Sequence, residues 1–256
     1  MSQIKKKTKI GFFISDDGFG HVVRQSSIIK ELLSKKKKNI EIHIFGKSIL
    51  SKIKHNFSNK KIYNNFDNVI KTVKKKNGPL DIKKTHKIFN IWKKKNNLLI
   101  NRVKLRIKDF DLIISDSVPH VISAASDLNI KVLNISHFTW DWFYLKTFGN
   151  DKIYKKLEYC YNKTSQFLFP PLTESFLLNK YKNKITEINF IITDSFTKKN
   201  YLKNNEKKTC IIMDNGSKVL SKKILKILDY LNKFDDLNFI ICGNSFNLRT
   251  IKSIKK

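Results

Sequence analysis

The chain has 256 residues, 41% of them hydrophobic, which is enough for a packed core in one large or two modest domains and excludes disorder throughout. Its formal charge is +31, yet only Arg24, Arg102, Arg106 and Arg249 among the 52 basic residues are arginines; a base-reading surface favours the bidentate guanidinium fork, so the lysines read as a solvated surface with no specific nucleic acid as partner, able to feel anionic lipid headgroups in a salt-sensitive way. No apolar run reaches the roughly 18 residues of a membrane span, residues 10–14 are too short for a signal-peptide core, and Cys160, Cys210 and Cys242 lack metal or disulfide spacing, so the expectation is a soluble cytoplasmic protein, peripheral at the inner membrane surface at most, with reduced thiols and no metal.

In chain order, residues 8–14 form an apolar run that predicts a buried strand, and residues 21–34 a helix with Val22, Ile28, Ile29, Leu32 and Leu33 on one side. Residues 40–45 predict a second strand, which completes a βαβ unit. A weaker strand follows at 60–66, then a long helical region at 80–108. Residues 111–115, 118–128 and 131–136 predict strand, helix and strand, and a further strand is expected at 167–171 and another at 187–193. Residues 194–208 read as a polar linker. Beyond it come a strand at 209–214, a turn at Asn215-Gly216-Ser217, a helix at 218–234 and a strand at 238–242. Alternation of this kind defines an α/β class with a parallel, doubly wound sheet.

In such sheets ligands bind beyond the carboxyl ends of the strands, which singles out three loops. The first, after residue 14, carries Gly18, Gly20, His21 and Arg24. Two glycines let the backbone turn and approach a ligand, and the free amides of a helix start favour an anion. The same glycines also suit a purely structural turn, and Val23 stands where a dinucleotide fingerprint would place its third glycine. The second loop begins at Asp116, which can orient a histidine or a sugar hydroxyl, or cap the next helix. The third holds His137, Trp140 and Asp141. Trp140 can stack on a sugar or base, or pack in the core, and Asp141 can cap a helix or hold a hydroxyl.

Asp17-Gly18-Phe19-Gly20-His21-x-x-Arg24, residues 111–119 from Asp111 through Asp116 to Pro119, residues 129–133, and His137-Phe138-Thr139-Trp140-Asp141-Trp142-Phe143-Tyr144 together resemble the glycosyltransferase-like domain of L-arabinokinase and its bacterial stand-alone relatives, within the wider GT-B group. The resemblance covers residues 8–170. It implies a GT-B-like protein with an acceptor-side Rossmann-like domain at 1–193, a linker at 194–208 and an incomplete donor-side Rossmann-like domain at 209–256. Such enzymes use a nucleotide-sugar as substrate and need no cofactor or metal.

By this resemblance His21 is the base for the acceptor hydroxyl, and Asp116 an alternative base or the group that orients His21. Gly18, Phe19, Gly20, Arg24, His137, Trp140 and Asp141 line the substrate side. Asn215, Gly216 and Ser217 either touch donor phosphate or form a plain strand-to-helix turn. The expected function is transfer of a hexose-type sugar to a sugar or envelope-type acceptor. The alternatives are a non-catalytic sugar-nucleotide-binding or partner subunit, and a nucleotide-sugar hydrolase. Two strands and about two helices cannot cover their own apolar faces, so this part is expected either to pack on the first domain or to meet a partner chain that completes the second domain.

Overall fold

The computed structural model describes residues 7–34, 39–47, 61–63, 66, 68–76, 79–191, 208–213, 230, 233–234 and 237–242. The chain divides into two compact units, one of Met1–Lys71 with His86–Thr197, the other of Thr72–Thr85 with Lys198–Lys256. The first contains seven strands, β1 (Thr8–Ile14), β2 (Ile40–Phe45), β3 (Lys61–Tyr63), β4 (Leu112–Asp116), β5 (Lys131–Ile135), β6 (Gln166–Phe169) and β7 (Ile185–Glu187). They form one sheet in the order β3-β2-β1-β4-β5-β6-β7, and every neighbouring pair is parallel. The helices are α1 (Phe19–Ser34), α2 (Ile82–Ile107), α3 (Pro119–Asp127), α4 (Trp140–Phe148), α5 (Lys152–Asn162) and α6 (Ser175–Lys180). In the second unit β8 (Lys208–Met213) and β9 (Leu237–Cys242) pair in parallel.

The continuous apolar character of β1 follows from burial on both faces. Ile10, Phe12 and Ile14 face one way and pack with Val22 and Ile29 of α1. Phe13 points to the opposite face, where Phe89, Trp92, Val103 and Ile107 of α2 join Val121 and Ile122 of α3. Gly11 lies between these positions with Phe110 over it: a Cβ there would sit 3.0 Å from Ile113 Cδ1 and 3.1 Å from Phe110 Cε1. A side chain at this position would have to push the Phe110 ring and Ile113 back by a few tenths of an ångström.

Several boundaries differ from the sequence reading, each for a local reason. Helix α1 opens at Phe19, so Gly20 lies in its first turn. β3 is three residues long; Phe66, expected to continue it, is buried against the rings of Phe13 and Phe45, with its N–H donated to the Gly46 carbonyl. β6 stops at Phe169 because Pro170 and Pro171 bring no N–H to the ladder. Its neighbour β7 stops with it, since Phe169 pairs with Glu187, and this replaces the strand expected at 187–193. Helices α4, α5 and α6 were not delimited by periodicity. Of the 194–208 linker only Lys208 is described, where it opens β8, and most of the 218–234 helix lies outside the described residues.

Asp151 caps α5, accepting the Ile153 and Tyr154 amides at 2.7 and 3.1 Å. Nearby, a buried ionic cluster ties α4, α5 and α6 together. Lys180 Nζ donates to Asp141 Oδ2 at 2.7 Å and Glu158 Oε1 at 2.8 Å, and Tyr181 Oη donates to the same Asp141 oxygen at 2.7 Å. Burial alone would lower the Lys180 pKa, but the charge of Asp141 and the bonds to Asp141, Glu158 and Tyr154 outweigh it and hold the ammonium above its ordinary range. Removing one partner of a buried pair strands the other. Lys180→Met is expected to lose about 3 kcal/mol in urea unfolding, because the Asp141 carboxylate has no solvent exposure, whereas Lys84→Met on the exposed part of α2 changes stability by less than about 0.5 kcal/mol.

Candidate functional site

The sheet order reverses between β1 and β4: the chain builds outward through β2 and β3, then returns to the other side of β1. This is the topological switch point, the place at which α/β sheets of this class bind their ligands. Ile14 and Asp116, the last residues of β1 and β4, stand side by side in register. After β1, residues 15–18 turn into α1. Gly18 has φ +154°, a conformation that side chains resist. His21, Arg24 and Gln25 then fall on one face of α1, at spacings of three and four residues.

That face meets Asp116. His21 Nδ1 lies 2.8 Å from Asp116 Oδ1, Arg24 Nη2 donates to the same oxygen at 2.7 Å, and Gln25 Nε2 donates to Oδ2 at 3.1 Å. Asp116 is fully buried and His21 8% exposed. Burial pushes the Asp116 carboxyl up, but the charges of His21 and Arg24 and the hydrogen bonds from His21 and Gln25 prevail and hold it below the ordinary range. His137, just past β5, joins through Arg24, whose Nη1 donates to its Nδ1 at 3.1 Å. Burial, then the neighbouring guanidinium, lower the His137 pKa, against an opposing pull from Asp116.

The cluster is not arranged for stability alone. Arg24 Nε and Gln25 Oε1 are buried without hydrogen-bond partners among the described residues, a cost that native interiors rarely carry without reason. Ser117, directly after Asp116, holds φ +56°. Its hydroxyl donates to Ser136 Oγ at 2.8 Å and approaches the Phe138 carbonyl at 2.9 Å, and its amide donates to Asn134 Oδ1 at 3.2 Å. These bonds lock the β4 loop to the β5 loop and fix Asp116 relative to His137.

The structure thus brings together His21, Arg24, Asp116 and His137, with Gly18 in the turn after β1 and Gly20 in the first turn of α1. Phe19 opens α1, and Asn215, Gly216 and Ser217 lie outside the described residues. Asp116 does not cap α3, whose N-cap is Val118. Trp140 is 1% exposed and packs edge-on against Phe89, Phe138 and Phe143, so it belongs to the core. Asp141 points into the Lys180 cluster and neither caps α4 nor joins the His21 group. Gln25 was missed by the sequence reading, although its position four residues after His21 on a helix marks the same face. Among the described residues no group of three His, Cys, Asp or Glu side chains is placed to hold a metal ion, and no helix is long and apolar enough to cross a membrane.

No protein-family model matches the sequence, and no curated protein matches it. Solved structures match the fold. MurG of Acinetobacter baumannii aligns with a TM-score of 0.50 at 12% identity, over 96% of this chain and 68% of that one. UGT89C1 of Arabidopsis thaliana gives 0.60 at 11% identity, over 96% and 67%. A Listeria monocytogenes protein described as a UDP-N-acetylglucosamine 2-epimerase gives 0.52 at 8% identity, over 97% and 65%. The chain therefore spans about two thirds of the length of these neighbours. Its architecture is the α/β fold of the GT-B glycosyltransferases.

Two outcomes follow for this site. A Cβ at Gly20 would meet nothing within 4 Å among the described residues, so their packing does not explain a glycine inside a helix turn. Gly20→Ala is expected to raise stability by about 0.5 kcal/mol in thermal unfolding and to weaken ligand binding by filling the space a ligand needs. Acid acts through His137. Its folded pKa is below 6.5, so its contribution is complete above pH 6.5 and is lost as pH falls through the folded value. The difference in melting temperature between wild type and His137→Gln should narrow over that range; a constant difference from pH 8 to pH 5 would contradict it.

Proposed function

We propose that this protein is a glycosyltransferase-like enzyme that moves a hexose-type sugar from a nucleotide-sugar to a hydroxyl acceptor, with His21 as the base. The observation that carries this reading is the buried His21–Asp116 pair at the switch point of a GT-B fold. An ionised Asp116 accepts the proton on His21 Nδ1, which leaves the Nε2 lone pair free and stabilises the imidazolium once a proton arrives. The acceptor oxygen attacks the anomeric carbon and gives its proton to Nε2. The bond from the anomeric carbon to the diphosphate oxygen breaks, and the nucleoside diphosphate leaves with the electron pair. Helix amino termini and cationic or hydroxyl side chains offset its charge, with no metal in this scheme.

UGT89C1 has been captured with UDP-L-rhamnose, a donor of this chemical type. In this reading residues 1–193 take the acceptor, and the segment from residue 209 onward, built on β8 and β9, takes the donor through Asn215, Gly216 and Ser217. Another chain supplies whatever the donor side lacks. The surface lysines hold the protein near anionic headgroups when the acceptor is lipid-linked. Hydrolysis of the nucleotide-sugar is the second reading, since the same base can activate water. Water then replaces the acceptor and His21 keeps its role.

Isothermal titration with UDP-, GDP- and dTDP-sugars, followed by turnover assays with the donor that binds, tests the proposal. Binding of one donor is expected in wild type and in His21→Ala alike, while turnover falls by about 10²–10⁴-fold in the variant. Binding without turnover toward any acceptor or water would leave a binding subunit in place of an enzyme. Absence of binding to every donor would remove the reading altogether.

A further inference from the structure

Arg24 is the side chain that approaches both histidines of the site. A guanidinium carries donors only and keeps its charge at any working pH. Its 3.1 Å contact with His137 Nδ1 therefore makes that nitrogen an acceptor, and the ring proton of His137 must sit on Nε2. Across the same guanidinium the assignment reverses. Asp116 is an ionised carboxylate and can only accept, so His21 Nδ1 at 2.8 Å bears a proton and, in the neutral ring, His21 Nε2 bears the lone pair. Arg24 Nη2 sends its proton to Asp116 Oδ1 at 2.7 Å, since a protonated His21 Nδ1 at 3.2 Å has nothing to accept with.

Both remaining nitrogens are unengaged: neither Nε2 has a hydrogen bond among the described residues. Each also points away from Arg24, because Nδ1 faces it and the two ring nitrogens diverge. The site accordingly offers one acceptor, on the first turn of α1, and one donor, on the loop after β5.

We propose that Arg24 is a positioning residue that holds His21 and His137 in opposite tautomers, so that the site recognises a ligand presenting a hydroxyl to give a proton and a second oxygen to receive one, as neighbouring hydroxyls of a sugar do. This rests on the glycosyl-transfer reading for its ligand class but not for its tautomers. The charged and titratable groups facing His137 are Arg24, Asp116 and His21. A lysine in place of Arg24 carries its donors on one atom of a compact head and does not reproduce the two-nitrogen fork with which Arg24 spans Asp116 Oδ1 and His137 Nδ1. A neutral His137 bound to a cation through Nδ1 thus depends on the fork of the guanidinium, beyond its charge.

The test is two-bond proton–nitrogen correlation spectroscopy of the full chain with labelled histidines at neutral pH, without substrate. The six histidines are few enough to assign His21 and His137 through His21→Gln and His137→Gln. The expected spectrum shows His137 protonated on Nε2 and His21 on Nδ1. In Arg24→Lys, with folding checked by melting temperature, His137 should become a mixture of tautomers while His21 keeps its pattern through Asp116. His137 protonated on Nδ1 or on both nitrogens in wild type would overturn the proposal, as would an unchanged His137 in Arg24→Lys; the wild-type spectrum decides even where the variant does not fold. With the donor that binds, His137→Gln, which keeps an N–H donor, should turn over about tenfold faster than His137→Leu. Equal rates would remove the ligand-recognition half. Loss of all donor binding with the expected tautomers would instead sink the transfer reading and leave the Arg24 arrangement standing.

Discussion

Asp116 is a full negative charge taken out of water, and the site is organised around compensating it. An isolated carboxylate in that position would take up a proton, and only opposite charge with several donors keeps it ionised. The chain supplies them from one face of α1, where His21, Arg24 and Gln25 converge on its two oxygens. That convergence is possible because β1 and β4 are neighbours although about a hundred residues separate them in sequence. The requirement runs outward from there. Gly18 sets the turn that aims α1, Gly11 lets Phe110 close over β1, and the serine bonds after β4 fix the distance to His137.

Much of this was legible beforehand. β1, β2 and the core of α1 read from apolar runs and helical spacing, since two-sided burial leaves an unmistakable block of Ile, Phe and Val. Parallel alternation then located the three loops that matter. Pairing between His21 and Asp116 was anticipated as one of several options, because both follow strands that a doubly wound sheet brings together. The link through Arg24 to His137 was not legible, since it depends on a side chain's reach between loops more than a hundred residues apart.

Trp140 and Asp141 illustrate the opposite error. A run of aromatic and acidic residues after a strand suits a sugar platform and suits a buried helix start equally well, and composition does not separate the two. What decided it lies forty residues further on. Lys180 and Tyr181 draw the Asp141 carboxylate inward, and Phe89 and Phe143 enclose the indole. The proline pair after Phe169 was a readable stop that went unused, and it explains why both β6 and β7 are shorter than their apolar sequences suggest.

The outermost strands of the seven-stranded sheet, β3 and β7, are each three residues long. Among the described residues these two strands offer a foreign chain few backbone groups to grip, which works against an added strand holding its register. The long, hydrogen-bond-rich strands sit in the middle, where both of their sides are already occupied. Tapering of this kind places the short strands of the seven-stranded sheet at its margins and its Ile- and Phe-rich strands inside, a guard against edge pairing that comes from geometry and that salt, which screens the lysines, does not weaken.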